Sequence, residues 1–283
     1  MKLQTRDRLQ KRFNLFLGYF ILITVTIAIS LPIVTLIIGS VKQDSELVAY
    51  PIRIFPKVAQ WANYVQVFIF TPFVKVAWRT FLLGVATTTI VTFVSSMVGF
   101  AFARYQVPGS GKLFSIVIAL LIVPGIVTII PQFLLYSRLH LTNTYWPWIL
   151  GALGGSPFYI FLFRQFFLSF PKELEEAAEV DGATAFRIFW QIFLPNAKPV
   201  LATVMFFAFF GVWSDYLTPL IYLNDNNTML GVKMATAFKN PKGVDLTTVS
   251  FAADIYYILP MVIVFFLAQR HILKGVITSG LKG

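Results

Sequence analysis

Apolar runs of about twenty residues recur along this chain, and they constrain its fold more than any other feature. Six are evident, at roughly 14–38, 80–103, 114–134, 146–167, 198–223 and 251–269. A helix of about 20 apolar residues crosses the hydrocarbon core of a bilayer. Only helices and closed barrels satisfy every backbone polar group there. The pattern therefore predicts an all-α fold, a polytopic membrane helical bundle with six transmembrane helices. Composition agrees: 12% of residues are charged and mean hydropathy is +0.75, whereas a soluble domain has about 25% charged residues.

The first run follows a basic stretch (Lys2, Arg6, Arg8, Lys11, Arg12) and is too long for the core of a signal peptide. It reads as a retained first span. Residues 1–13 then form a cytoplasmic N-terminal segment, and 14–283 form the transmembrane domain. The net charge of +11 does not point to nucleic acid, because the cations flank apolar runs. With the N-terminus inside, 14 of the 23 Lys and Arg fall on inner segments and 9 on outer ones. Cytoplasmic loops carry such an excess, so both termini are expected inside. Pro51, Pro56 and Pro72, with aromatics between them, suit the 40–79 segment to the outer surface. Pro32, Pro124, Gly125, Pro131, Pro219 and Pro260 interrupt the runs, either as tolerated kinks or as bends around a path. Gly151 and Gly155 form a small-xxx-small pair suited to close helix packing.

Against this basic background, five of the twelve acids crowd into 173–181: Glu173, Glu175, Glu176, Glu179 and Asp181. Pro171 suits the first position of a helix. Leu174, Ala177 and Ala178 recur at helical spacing, with acids on the opposite face and in the first turn, where the helix dipole favours them. Asp181-Gly182 ends the helix, since glycine readily takes the left-handed conformation of such a turn. A second helix is expected from Ala183 to about Phe193, stopped by Leu194-Pro195. The result is a helix–turn–helix over about 171–197. It is either a simple connector or a docking element for a basic soluble partner.

Glu176-Ala177-Ala178, Asp181-Gly182-Ala183, Phe189, Ile192 and Leu194-Pro195 resemble the EAA loop of ABC importer permeases. Other segments are similar to the carbohydrate-uptake branch: Phe163-Arg164-Gln165-Phe166-Phe167, Leu141-Thr142-Asn143-Thr144-Tyr145-Trp146, Trp213-Ser214-Asp215-Tyr216 and the ending Gly280-Leu281-Lys282-Gly283. The resemblance runs from about Asn63 to the last residue and is nearest to the smaller permease of maltose-type transporters. Trp213-Ser214-Asp215 departs from the Trp-Asn of many relatives. The resemblance implies that the 171–197 loop is an ATPase-coupling element built on Glu176, Ala177, Ala178, Asp181, Gly182, Leu194 and Pro195. It implies a cytoplasmic ATP-binding subunit dimer, a second homologous permease subunit and an extracellular solute-binding protein as partners. It also implies a prokaryotic plasma membrane and a sugar substrate. Rival readings are a permease for a glycerol-phosphate ester or polyamine, and a self-contained secondary transporter.

Intramembrane polar residues are expensive and often functional. Asp215, between Trp213 and Tyr216, is the sharpest substrate-path candidate, with Pro124 at a helix interruption; Asp254 beside Tyr256 and Tyr257 is weaker. Catalysis is not expected, and neither is a cofactor or metal site. There is no cysteine, and the two histidines, His140 and His271, are isolated. Gly109-Ser110-Gly111-Lys112 fails as a phosphate loop, because Gln106 replaces its first glycine and Leu113 its Ser or Thr. It reads as a tight turn.

Overall fold

The computed structural model describes residues 2–280 apart from 106 and 241, with side chains over 10–270. Gln106 and the Leu281-Lys282-Gly283 ending thus lie outside the described residues, as do the side chains of Lys2, Arg6, Arg8, His271 and Lys274. The helices, in chain order, are α1 (Lys2–Ser40), α2 (Asp44–Leu47), α3 (Ala62–Phe70), α4 (Phe73–Arg104), α5 (Ser110–Leu120), α6 (Gly125–Arg138), α7 (Trp146–Leu153) and α8 (Pro157–Leu168). There follow α9 (Glu173–Val180), α10 (Ala185–Ile188), a π-helical turn at Phe189–Phe193, and α11 (Leu194–Asn196). The chain continues through α12 (Lys198–Trp213), α13 (Leu217–Tyr222), α14 (Leu230–Thr236) and α15 (Thr247–Gly280). Among the described residues the only extended pairing is an isolated bridge between Lys239 and Asp245.

All six apolar stretches are helical, but not all are straight. Gln10–Ser40, Phe73–Arg104, Trp146–Leu168 and Thr247–Arg270 are each long and apolar enough to cross a membrane. The third expected span instead bends by 96° between α5 and α6. The bend falls where Pro124 lacks an N–H and disfavours helix at Val123 before it. Helix Lys198–Trp213 likewise meets the segment Ala185–Asn196 at 82°. The expected run 198–223 stops at Trp213, since Asp215 Oδ1 accepts the Thr218 N–H at 3.1 Å and starts α13 afresh. At the other end of the chain, α1 extends back through the expected N-terminal segment to Lys2.

Packing divides the chain into two units, Met1–Thr71 with Phe238–Tyr256, and Pro72–Ala237 with Tyr257–Gly283. In the first, most of α1 is bare, with Phe13, Phe16, Ile27 and Ile29 exposed. Its end is fastened by polar bonds. Asn63 Nδ2 donates to the carbonyls of Ser40 and Lys42, both at 2.9 Å, and Ser40 Oγ lies 2.8 Å from the Tyr64 hydroxyl. Asp44 Oδ1 accepts the Thr248 N–H at 2.9 Å and so caps the start of α15. Glu46 accepts the N–H groups of Gln43 (3.3 Å) and Lys57 (3.0 Å), which folds the 43–57 segment on itself.

In the second unit α4 is the central helix, packed against α7, α8 and α12. Its inward face is largely small: Thr80, Gly84, Thr87, Thr88, Thr92, Ser95, Ser96 and Gly99 are buried, with Phe73, Val76, Leu83 and Phe100 the larger members. Membrane helices approach closely where residues are small. Gly99 makes the closest approach, since a Cβ there would lie 2.6 Å from Cβ of Phe163 and 3.0 Å from the Ile160 carbonyl oxygen. Of the pair Gly151/Gly155, only Gly155 lies against another helix, where a Cβ would come within 3.5 Å of Val94 and Ser95 of α4. Gly151 faces open space, and Gly155, at φ +69°, supplies the break between α7 and α8.

Candidate docking loop and translocation path

Helix α9 begins at Glu173, two residues later than the proline signal suggests, with Glu173, Glu175 and Glu176 in its first turn. Its C-terminus closes in a Schellman motif. The Gly182 N–H donates to the Glu179 carbonyl at 3.0 Å and the Ala183 N–H to the Ala178 carbonyl at 2.9 Å. Gly182 sits at φ +73°, the left-handed geometry its position in the sequence suggests. Thr184 then caps α10, its hydroxyl accepting the Arg187 N–H at 3.4 Å.

Leu194-Pro195 does not stop the second helix, which continues to Asn196. The reason is the π turn before it. The Leu194 N–H reaches back five residues to the Phe189 carbonyl, and the widened turn absorbs a proline that cannot donate. Leu194 is half-buried and Pro195 exposed.

Glu176, Ala177, Asp181 and Gly182 are exposed, whereas Ala178 packs against a buried cluster. That cluster joins Phe100 of α4, Phe163 and Phe167 of α8, and Ile188, Phe189 and Phe193 of the loop's second half. Phe100 and Phe193 have ring centroids 4.8 Å apart. The loop's second half is thus firmly backed, and α9 beside it presents an acidic outer face. At its tip Val180 is 88% exposed, with Phe186 and Trp190 also bare.

The helical spacing of α9 puts its acids on the outer face, but Glu175 turns inward. Its Oε2 lies 2.9 Å from Arg104 Nε, and the two side chains are 14% and 4% exposed. Arg104 also donates through Nη1 to the Phe170 carbonyl (3.3 Å) and through Nη2 to the Pro171 carbonyl (3.1 Å). Its guanidinium lies over the Phe193 ring at 4.8 Å. Removing one partner of a buried pair strands the other charge and costs about 3–5 kcal/mol. The neighbouring Tyr105 hydroxyl is pushed above its ordinary range, first by burial and then by the carboxylates of Glu175 and Glu179. Arg164 similarly donates to the Phe102 carbonyl (3.3 Å) and lies over Phe114 of α5 at 4.1 Å.

The substrate-path candidates fall into two groups. Trp213 is buried, stacked on Phe209 and Tyr257, and donates its indole N–H to the Tyr257 carbonyl at 3.0 Å. Asp215 is half-buried, with Oδ2 accepting the Trp148 indole N–H at 3.2 Å. Gly231 presses on the same turn, where a Cβ would lie 2.6 Å from the Asp215 carbonyl oxygen. Tyr216 is 38% exposed beside them. Pro124 is exposed at the α5–α6 bend. Asp254 belongs to the other unit, on α15 near Tyr256, whose ring meets Tyr64 edge-on at 5.7 Å.

Gly109, at φ +88°, turns the chain into α5 after a helix rather than a strand. Among the described residues no group of three or more His, Cys, Asp or Glu could hold a metal.

Residues 95–278 match the family described as binding-protein-dependent transport system inner membrane component. The arabinooligosaccharides transport system permease protein AraQ of Bacillus subtilis (strain 168) is 32% identical over 257 residues, 89% of this chain and 90% of that protein. The lactose transport system permease protein LacG of Rhizobium radiobacter is 27% identical, over 96% of this chain and 98% of that protein. A chain from the crystal structure of a bacterial ABC transporter involved in the import of the acidic polysaccharide alginate superposes with a TM-score of 0.76. It covers 92% of this chain and 96% of its own length at 21% identity, a likeness of fold.

Proposed function

The chain belongs to the family of binding-protein-dependent transport system inner membrane components, and from that premise we propose that it forms half of the translocation path of an ATP-driven importer for a sugar or oligosaccharide. The observation that carries the docking reading is the acidic platform of α9, exposed at Glu176 and Ala177 and capped by Gly182. A soluble ATP-binding subunit covers that face, taking Glu176 against a basic or polar group and Val180 into an apolar recess. ATP binding draws two such loops together, one from this chain and one from a second, homologous permease. The membrane bundle then changes its opening, a two-state body biased by its partner. An extracellular solute-binding protein delivers the substrate. The chain itself performs no catalysis.

The charge distribution supports an inside location for both termini, and with it a cytoplasmic docking loop in a prokaryotic plasma membrane. On the substrate path, Tyr216 offers an aromatic face and Asp215 a carboxylate, the pairing a sugar ring and its hydroxyls require. Trp213 holds the turn on which both sit, and Pro124 sets the bend of a neighbouring span. The names of AraQ and LacG, an arabinooligosaccharide and a lactose system, support a neutral carbohydrate.

The test is purification of the tagged chain from its native membrane in mild detergent, with the accompanying proteins identified by mass spectrometry. A soluble ATPase and a second permease should accompany the wild type, and the ATPase should be lost from Glu176→Lys. A wild-type chain that comes down without any ATPase, under conditions that keep other membrane complexes whole, sinks the reading.

A further inference from the structure

We propose that Arg104 is the joint through which force on the docking loop reaches the membrane bundle. This inference rests on reading that loop as the ATPase-docking element. An arginine side chain carries five donors in one plane, and Arg104 uses them in several directions. It is the last residue of α4, the central helix of its unit. Its Nε faces Glu175 in the first turn of α9, and Nη1 and Nη2 hold the carbonyls of Phe170 and Pro171 between α8 and α9. Its flat face covers Phe193 of the π turn. The α8–α9 connection, α9 and the π turn are thus pinned to the end of one core helix.

Among the described residues, the Arg104–Glu175 pair is the only polar side-chain tie from α9 to another helix. Ala178 adds apolar contact with the buried cluster, but a methyl group against rings can slide more readily than a guanidinium paired with a carboxylate and hydrogen-bonded to two carbonyls. Burying such a pair is a poor way to gain stability, because apolar residues of similar volume often serve as well or better. What the pair supplies is a fixed geometry. A sideways pull on α9 must either break it or carry α4 along, and α4 lies against α7, α8 and α12. Arg104 and Glu175 are therefore positioning residues, which set how much substrate moves for each ATP hydrolysed.

The experiment reconstitutes the complete complex in proteoliposomes with its binding protein, and measures substrate uptake and ATP hydrolysis on the same vesicles. In Arg104→Gln and Glu175→Gln, transport per ATP should fall about tenfold, the scale of a typical coupling energy between sites. The exchanged pair Arg104→Glu with Glu175→Arg should recover part of the loss. Arg104→Lys should fall between, because a compact ammonium keeps the charge but lacks the rigid planar fork that spreads its contacts in fixed directions. Unchanged transport per ATP in the assembled single variants, whatever their yield, overturns the proposal and leaves the pair a matter of stability. If Arg104→Gln fails to assemble, Arg104→Lys and Glu175→Gln decide the question by the same measurement. A wild-type permease with which no ATP-binding subunit assembles would instead sink the docking reading, so the two failures are told apart.

Discussion

Replacing Gly182 by alanine isolates the contribution of one backbone angle to docking. Gly182 sits at φ +73°, and a Cβ built on it meets nothing within 4 Å. The penalty is therefore purely conformational, about 1–2 kcal/mol for an L-residue in the left-handed region. In the isolated loop that strain can be relieved by giving up the two hydrogen bonds of the Schellman turn, from Gly182 to Glu179 and from Ala183 to Ala178. A docked loop has no such freedom. The penalty then falls on binding, and about 1–2 kcal/mol is roughly 5–30-fold in an equilibrium constant. Titrating the purified ATP-binding subunit onto the permease pair in nanodiscs should show Kd rising by that factor for Gly182→Ala. Gly182→Asn should lose less, because asparagine tolerates the left-handed region. Gly211→Ala is the control, since Gly211 lies inside α12 with open space around it, and it should bind as the wild type. Alanine binding at wild-type strength, or asparagine binding as weakly as alanine, would refute the reasoning.

Gly99→Ala should lower the melting temperature of the purified complex. The new methyl meets Cβ of Phe163 at 2.6 Å and backbone atoms of α8 close behind, and such overpacking costs about 1–3 kcal/mol. Asp215→Ala leaves the Trp148 indole N–H and the Thr218 N–H without their acceptor. That costs about 1–3 kcal/mol in the same melting assay, and Asp215→Asn, which keeps one acceptor, costs less. Glu46 has its carboxyl held below the ordinary value of 4.5, first by the Lys57 backbone N–H. A lowered folded value means that the support is complete above pH 4.5 and is lost as pH falls through the folded value. Exchange at the Lys57 amide, measured against its intrinsic rate, should therefore loosen in acid, and Glu46→Gln should abolish that pH dependence.

What the sequence made legible was whatever depends on composition and period. Apolar length alone located the helical stretches, and the Asp181-Gly182 step located the turn whose φ requires glycine. What escaped depends on particular partners in space. Pro124 marked a kink or a bend but not its 96° size, and the fresh start at Asp215 lies inside an apolar run, where hydropathy does not sense a change of direction. The π turn escaped because Pro195 looks like a terminator unless the preceding turn is known to have widened. The inward turn of Glu175 escaped because its partner lies seventy-one positions earlier in the chain, at Arg104. Periodicity on α9 gives a polar face but does not say which of its acids has a cation behind it.

The bare tip of the loop bears on how this subunit is made. Val180 is 88% exposed, and Phe186 and Trp190 of the same loop are each half exposed or more, which leaves apolar surface worth about 25 cal/mol per Å² uncovered until something binds there. A newly inserted copy that has not met its partner therefore displays a sticky patch of the kind that drives aggregation and invites degradation. Its abundance in the cell should follow the supply of whatever covers that patch, so that the complex sets its own stoichiometry by disposing of orphan subunits.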